Sequence, residues 1–199
     1  MVHKMSAQLI RIKLVLIGEG AVGKTSIARA YLGKTFIHGY KATVGADFYV
    51  KRDVFNDPVL GNVSCEFLIW DLAGQPQFSQ VRPLYYRGAR AAIAVFDLTR
   101  KETFLALPNW INEFWKNAGG AWPLILVGNK ADLRGQRPCL PAEVGRKYAE
   151  RLTSVLGIPI PYVETSALTS YNIREAFHQL VITLLAFYRR KYLKRLRRQ

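Results

Sequence analysis

The stretch Gly18-Glu19-Gly20-Ala21-Val22-Gly23-Lys24-Thr25 constrains this chain more than any other part of it. It satisfies G-x-x-x-x-G-K-[ST] at every fixed position. Before it lies an apolar run, Ile10 to Ile17, broken by Arg11 and Lys13; after it, Thr25 to Tyr31 reads as the first turns of a helix. A strand passing through a glycine loop into a helix N-terminus is the context in which this pattern grips phosphate. Glycine lets the backbone turn back and aim successive N–H groups at one anion, and the helix end adds its partial positive charge. Gly18 to Gly23 therefore form a cradle of amides. Lys24 reaches the β- and γ-phosphates, and the Thr25 hydroxyl ligates Mg²⁺.

The rest of the chain alternates strand and helix. Gly33 to Val44 has no steady period and reads as a loop. Ala46 to Val54 and Val63 to Asp71 are strand-like, and the turn residues Asn56-Asp57-Pro58 and Gly61-Asn62 make them a hairpin with a mobile tip. Leu72 to Gly88 is loop with a short helix. Arg90 to Leu98 is apolar throughout, as a strand covered on both faces should be. A helix is predicted over Glu102 to Asn117, with Phe104, Leu107, Ile111, Phe114 and Trp115 at helical spacing. Trp122 to Val127 and Ile160 to Glu164 are strands. Pro141 to Leu156 is a helix with proline in its first turn, and Tyr171 to about Arg198 a long last helix. The pattern predicts an α/β fold: a six-stranded, mostly parallel sheet with one antiparallel hairpin strand and helices on both faces. In such sheets ligands sit at the carboxyl ends of the strands, so every candidate site residue should follow a strand.

Composition narrows the setting. At 199 residues, half of them hydrophobic, the chain can bury a good-sized core. Cys65 and Cys139 lie in no metal-like spacing and suit a reducing, cytoplasmic environment. The polar N-terminus lacks a secretory signal, and the longest apolar segment, Leu180 to Tyr188, falls far short of the about 20 residues that span a bilayer. The net charge of +15 is concentrated at one end. Seven of the 29 basic residues lie between Arg189 and Gln199, leaving 22 basic against 14 acidic residues in the body. The chain thus divides into an N-terminal extension, 1–9, a folded body, 10–188, and a basic tail, 189–199. Nucleic-acid binding would rest on charge alone, with no recognised motif and no aromatics on a basic strand face.

Other segments complete a site. Asp71 closes a strand in Asp71-Leu72-Ala73-Gly74-Gln75, where an acid at a strand tip serves Mg²⁺ directly or through water. Gly74 presents a bare amide to a γ-phosphate, and Gln75 can orient an attacking water while staying neutral. Thr43, in the loop after the first helix, has a hydroxyl that completes the Mg²⁺ shell while a γ-phosphate is present. In Asn129-Lys130-Ala131-Asp132 the carboxylate chooses the base. Guanine presents N1–H and a 2-amino group as adjacent donors, which Asp132 accepts, whereas adenine offers a bare N1 acceptor. Glu164-Thr165-Ser166-Ala167 places the Ala167 amide to meet guanine O6. Phe36 packs edge-on against the base or into the core; spacing does not choose.

With these segments in order, the chain resembles the Ras superfamily of small GTPases, its Rab branch above all. Trp70-Asp71-Leu72-Ala73-Gly74-Gln75, Tyr85-Tyr86-Arg87-Gly88-Ala89, Phe96-Asp97-Leu98-Thr99 and Glu164-Thr165-Ser166-Ala167 carry the resemblance, over roughly residues 10 to 188. It implies a GTP/GDP switch: Thr43 and Gly74 hold the γ-phosphate state, Gln75, Lys24 and Thr43 serve hydrolysis, and two loops are released afterwards. The loops contain Ile37, Tyr40 and Thr43, and Ala73, Gly74, Gln75 and Pro76. The guanine set is Asn129, Lys130, Asp132, Ser166, Ala167, Leu168 and Phe36. Exchange factors, GTPase-activating proteins and effectors are the implied partners, and membrane trafficking the implied setting.

The departures matter too. Pro76 stands where an acid is usual; it removes an amide and biases Gln75 toward extended geometry, against water positioning. Leu168 replaces the usual lysine, which implies weaker nucleotide binding with unchanged base choice. No arginine lies between Phe36 and Thr43, so intrinsic turnover is expected to be slow, with a partner's arginine adding about 10³–10⁵. These features keep open a second reading, a nucleotide-binding module without efficient turnover. The chain finishes Lys194-Arg195-Leu196-Arg197-Arg198-Gln199 without a terminal cysteine, so no prenyl anchor is expected. The tail either meets anionic lipid reversibly or is a solvated helix end.

Overall fold

The computed structural model describes residues 9–36, 43, 45–57 and 61–196, with Pro76 and residues 191–196 by backbone alone. Its order is β1 (Ile10–Ile17), α1 (Lys24–Tyr31), β2 (Ala46–Asp57), β3 (Gly61–Leu72), α2 (Arg82–Tyr86), β4 (Ala91–Asp97), α3 (Lys101–Leu105), α4 (Leu107–Ala118), β5 (Leu124–Asn129), α5 (Ala142–Leu156), β6 (Tyr162–Thr165) and α6 (Ile173–Leu196). The six strands form one sheet in the order β2-β3-β1-β4-β5-β6; every pairing is parallel except β2 with β3. The predicted fold class is the observed one.

Strand alternation divides the core into two layers. Ile12, Leu14, Leu16, Phe67, Ile69, Ile93, Val95 and Val127 point to the face covered by α1 and α6. Val15, Ile17, Ala92, Ala94, Phe96, Leu124 and Leu126 point the other way, onto α4 and α5. Apolar residues at both parities of one strand require cover on both faces, which is why β4 reads as an unbroken apolar run. Phe177 of α6 is fully buried and stacks on Tyr31 of α1, their ring centroids 3.5 Å apart; burying one such side chain contributes about 1.5–3 kcal/mol.

The predicted Glu102–Asn117 helix is two helices. Ala106 separates α3 from α4, and Pro108 sits in the first turn of α4. A proline has no N–H for the carbonyl four residues back, so the helix restarts there. Phe104 and Trp115 are only partly buried, while Leu107, Trp110, Ile111 and Phe114 are buried. Pro141 caps α5 from just outside it, and Tyr188 is 38 % exposed, no part of the core. The hairpin ladder runs further than its turn residues imply, through Asn56↔Asn62 and Asp57↔Gly61. Asp57 is buried there because Arg189 of α6 bonds its carboxylate at 3.2 Å. Residues 58–60, the predicted mobile tip, lie outside the described residues.

Register places the chemistry. Asp97, Asn129 and Thr165 stand side by side at the carboxyl ends of β4, β5 and β6, and Asp71 pairs with Leu16 beside the phosphate loop. Phe36 and Thr43 break the expected grouping, since they follow a helix. They still reach the same edge, because β2 runs antiparallel and begins where its neighbours end.

Candidate nucleotide site

A cleft of about 730 Å³ runs along this edge, lined by Gly20, Ala21, Gly23, Lys24, Thr25, Phe36, Thr43, Gly74, Gln75, Asn129, Lys130, Asp132, Ala167 and Leu168. These lining residues are all ones that sequence singles out, whereas Gly18, Glu19, Val22, Asp71, Ala73 and Ser166 do not line the cleft. Ile37 and Tyr40 lie outside the described residues. Phe36 packs against the core and also lines the cleft.

Glycine is required at two points of this wall. Gly23, at the N-terminus of α1, has φ of 99°, and a Cβ there would lie 2.2 Å from the Asn129 amide nitrogen. Gly74 has a reason beside the one read from sequence. A Cβ on it would lie 2.6 Å from the Glu19 carbonyl and the Gly20 nitrogen, so the segment after β3 rests directly on the phosphate loop.

At one end of the cleft Lys24 is buried, its ammonium donating to the Gly18 carbonyl at 2.7 Å and the Glu19 carbonyl at 2.8 Å. Burial pushes it down to about 8, against the opposing pull of Asp71 and Glu19. Thr25 Oγ1 donates to Asp71 Oδ2 at 2.5 Å and lies 3.0 Å from Thr43 Oγ1. Asp71 is fully buried, its Oδ1 meets no donor among the described residues, and burial raises its carboxyl to about 6. Two hydroxyls around an under-satisfied buried carboxylate are hard oxygen donors of the kind Mg²⁺ takes, so these residues fit that ion.

At the other end Asp132 Oδ1 accepts from the buried Ser166 hydroxyl at 2.5 Å. Asn129 acts as a brace: its amide donates to Val22 O at 2.9 Å, and its oxygen accepts from Thr165 Oγ1 at 3.1 Å and the Ala167 N–H at 3.2 Å. It ties the phosphate loop to the base loop, and a purine O6 would share the Ala167 amide with it. Leu168 is 45 % exposed at the rim.

Several contributors were invisible in sequence. Ser26, Arg29, Asp47, Tyr49 and Leu72 also line the cleft. Glu19 Oε1 accepts from the Trp110 indole of α4 at 2.9 Å. The Arg82 guanidinium lies 4.3 Å over that ring, pairs with Glu113 at 2.8 and 3.0 Å, and donates to Gln75 O at 3.3 Å. Only the identity of Arg82, the lone cation in a short apolar helix, hinted at this. Outside the cleft, Phe48 of β2 is 64 % exposed and tilts against Trp70, which meets Tyr85. In this aromatic platform Trp70 and Phe48 of the hairpin strands meet Tyr85 of α2.

A mostly parallel sheet that carries a lysine-bearing glycine loop at one end of a cleft and the Asn129-Lys130-Ala131-Asp132 segment at the other defines a phosphate-loop GTPase. Within that class the chain belongs to the Ras family, whose sequence model matches residues 13–186. It is 36 % identical over 170 residues to the Ypt/Rab-type GTPase ypt7 of Schizosaccharomyces pombe, covering 83 % of this chain and 78 % of the relative. It is 31 % identical over 185 residues to the Ypt/Rab-type GTPase avaA of Emericella nidulans, covering 91 % and 85 %. The chain is a Rab-like small GTPase.

Proposed function

We propose that this protein binds GTP and GDP with Mg²⁺, hydrolyses GTP slowly, and exchanges partners between the two states, in membrane trafficking or signalling at a membrane surface. The observation that carries this reading is the two-ended cleft, with Lys24 and the Thr25–Asp71 pair at one end and Asp132 with Ser166 at the other. Thr25 and Thr43, with Asp71 behind or beside them, would hold Mg²⁺, which when bound would supply neutralisation of polyphosphate charge. Lys24 offsets charge on the same oxygens. Gln75 aligns water for attack, and Gly74 lets the segment bearing it close on the phosphate loop. Exchange factors, activating proteins and effectors would meet the loops around the cleft and the Phe48–Trp70–Tyr85 platform beside them.

The two shifted groups set the pH dependence. A polyphosphate and a cation favour charged Lys24 and charged Asp71, so binding raises the first above about 8 and lowers the second below about 6. By linkage, affinity is then flat between these values and falls by up to tenfold per pH unit outside them. Titration with labelled GDP and ADP in Mg²⁺, from about pH 5 to 9, followed by single-turnover phosphate release from GTP, tests the whole reading. The expected result is a bell for GDP, negligible ADP binding and slow turnover. Equal retention of both purines would reject the proposal.

The basic end supports a membrane role, but less of it is available than sequence implies. Arg189 is committed to Asp57, and Arg190 donates to the Gly157 carbonyl. Two of the seven tail cations are thus held by the body of the fold, and the helix itself continues to Leu196. No helix among the described residues is long and apolar enough to cross a membrane. At about 1 kcal/mol per basic residue, co-sedimentation with phosphatidylserine vesicles is expected at low salt and not with phosphatidylcholine alone. Equal recovery with both would dismiss the lipid contact.

A further inference from the structure

Outside the predicted set, one carboxylate gathers contacts from both halves of the cleft. Asp97, the last residue of β4, is 1 % exposed. Its Oδ2 accepts from Lys130 Nζ at 2.6 Å and Arg100 Nε at 3.1 Å, and its Oδ1 accepts from the Thr99 N–H at 2.9 Å and the Thr99 hydroxyl at 2.7 Å. Arg100 divides its planar fork. While Nε holds Asp97, a terminal nitrogen donates to the Gly20 carbonyl of the phosphate loop at 2.8 Å.

The Gly20–Ala21 peptide has need of such a tie. Ala21 has φ of 61°, a left-handed conformation that favours glycine and that an alanine keeps only where its surroundings impose it. Lys130, the other side chain bound to Asp97, is left-handed too, with φ of 70°. Two strained residues, one in the phosphate loop and one in the base loop, thus hang on a single buried carboxylate.

We propose that Arg100 is a positioning residue for nucleotide binding, holding the Gly20–Ala21 peptide in its phosphate-ready orientation against an anchor, Asp97, that the guanine loop shares. A trans peptide is planar, with its C=O and N–H pointing opposite ways. Fixing the Gly20 oxygen on the Arg100 side turns the Ala21 N–H away from it and keeps that donor set before an anion arrives. The bond is charge-assisted, and a guanidinium's planar fork serves carboxylate and carbonyl together in a fixed geometry that the rotatable, point-like ammonium of lysine does not impose. The inference rests on the reading of Gly18–Thr25 as the phosphate cradle, and it adds a residue that makes no contact with phosphate itself.

The test is the dissociation rate of fluorescent GDP, in Mg²⁺, from the full chain and from Arg100→Ala, Arg100→Lys, Asp97→Asn and Lys101→Ala, each also in an Ala21→Gly background. Arg100→Ala is expected to release GDP about tenfold faster. Arg100→Lys falls between it and the unaltered chain, and Asp97→Asn, which also loosens Lys130, exceeds it. Lys101→Ala, which removes an adjacent exposed charge, stays within about twofold. The decisive readout is the background: with glycine at position 21 the Arg100→Ala effect shrinks to under about threefold, which a merely fold-stabilising arginine would not produce. Release within twofold of the unaltered chain, or an equal effect in both backgrounds, overturns the inference and leaves the cradle standing. Failure of the unaltered chain to hold GDP overturns the cradle, and the inference with it. If Arg100→Ala does not fold, Arg100→Lys in the two backgrounds decides the matter by the same comparison.

Discussion

Asp132→Asn is expected to lower GDP affinity by about a thousandfold. In the proposed site the carboxylate would offer acceptors to the two adjacent guanine donors, N1–H and the 2-amino group. Asparagine replaces one acceptor with an NH₂ that faces a donor, and it removes the charge that strengthens both bonds. Truncating one side of a desolvated charged pair costs about 2–5 kcal/mol, and about 4 kcal/mol is a thousandfold. The contact with Ser166, 2.5 Å from Oδ1, survives, because the asparagine oxygen still accepts the hydroxyl. The thermal midpoint of nucleotide-free protein should therefore stay close to that of the unaltered chain while the GDP titration collapses. Affinity within tenfold of the unaltered value would remove Asp132 from base recognition.

Most residues that sequence singled out, Phe36 and Thr43 apart, share a property: they belong to short segments whose spacing is itself informative. Gly18–Thr25 must contain its glycines and lysine together, since one turn of backbone supplies every donor. Asp71, Gly74 and Gln75 lie on one strand end, as do Asn129, Lys130 and Asp132. What escaped depends on partners far along the chain. Trp110 reaches Glu19 across 91 positions, and Arg100 reaches Gly20 across 80. No local period encodes either contact, because each follows from how strands are ordered in the sheet. The hairpin makes the same point about the fold. Asn56-Asp57-Pro58 has the composition of a turn, yet Asp57 stays in the ladder because Arg189, 132 residues later, bonds its carboxylate. The break at Ala106, by contrast, was legible: Pro108 stands inside the predicted helix, and the apolar spacing concealed its consequence.

Gly74→Ala is expected to cut GTP hydrolysis by about a hundredfold or more while changing GDP affinity less than tenfold. The added methyl would sit 2.6 Å from three backbone atoms of Glu19 and Gly20, and no rotamer can relieve a clash with backbone. The segment has little freedom to slide aside. The Ala73 N–H donates to Gly45 O at 2.9 Å at the start of β2, and Gln75 O accepts from Arg82, itself fixed to Glu113. The strain is relieved by lifting residues 73–75 off the phosphate loop, which carries Gln75 away from the reacting phosphate. Misplacing a reacting group by about 1 Å can cost 10² in rate. Lys24, Thr25 and Asp132 keep their supports, so GDP, which lacks the γ-phosphate, should still bind. Single-turnover phosphate release beside a GDP titration separates the two effects. Hydrolysis at the unaltered rate would mean that contact between Gly74 and the phosphate loop is not needed for turnover. Equal losses in both measurements would show instead that the contact supports the cradle as a whole, ahead of any role in hydrolysis.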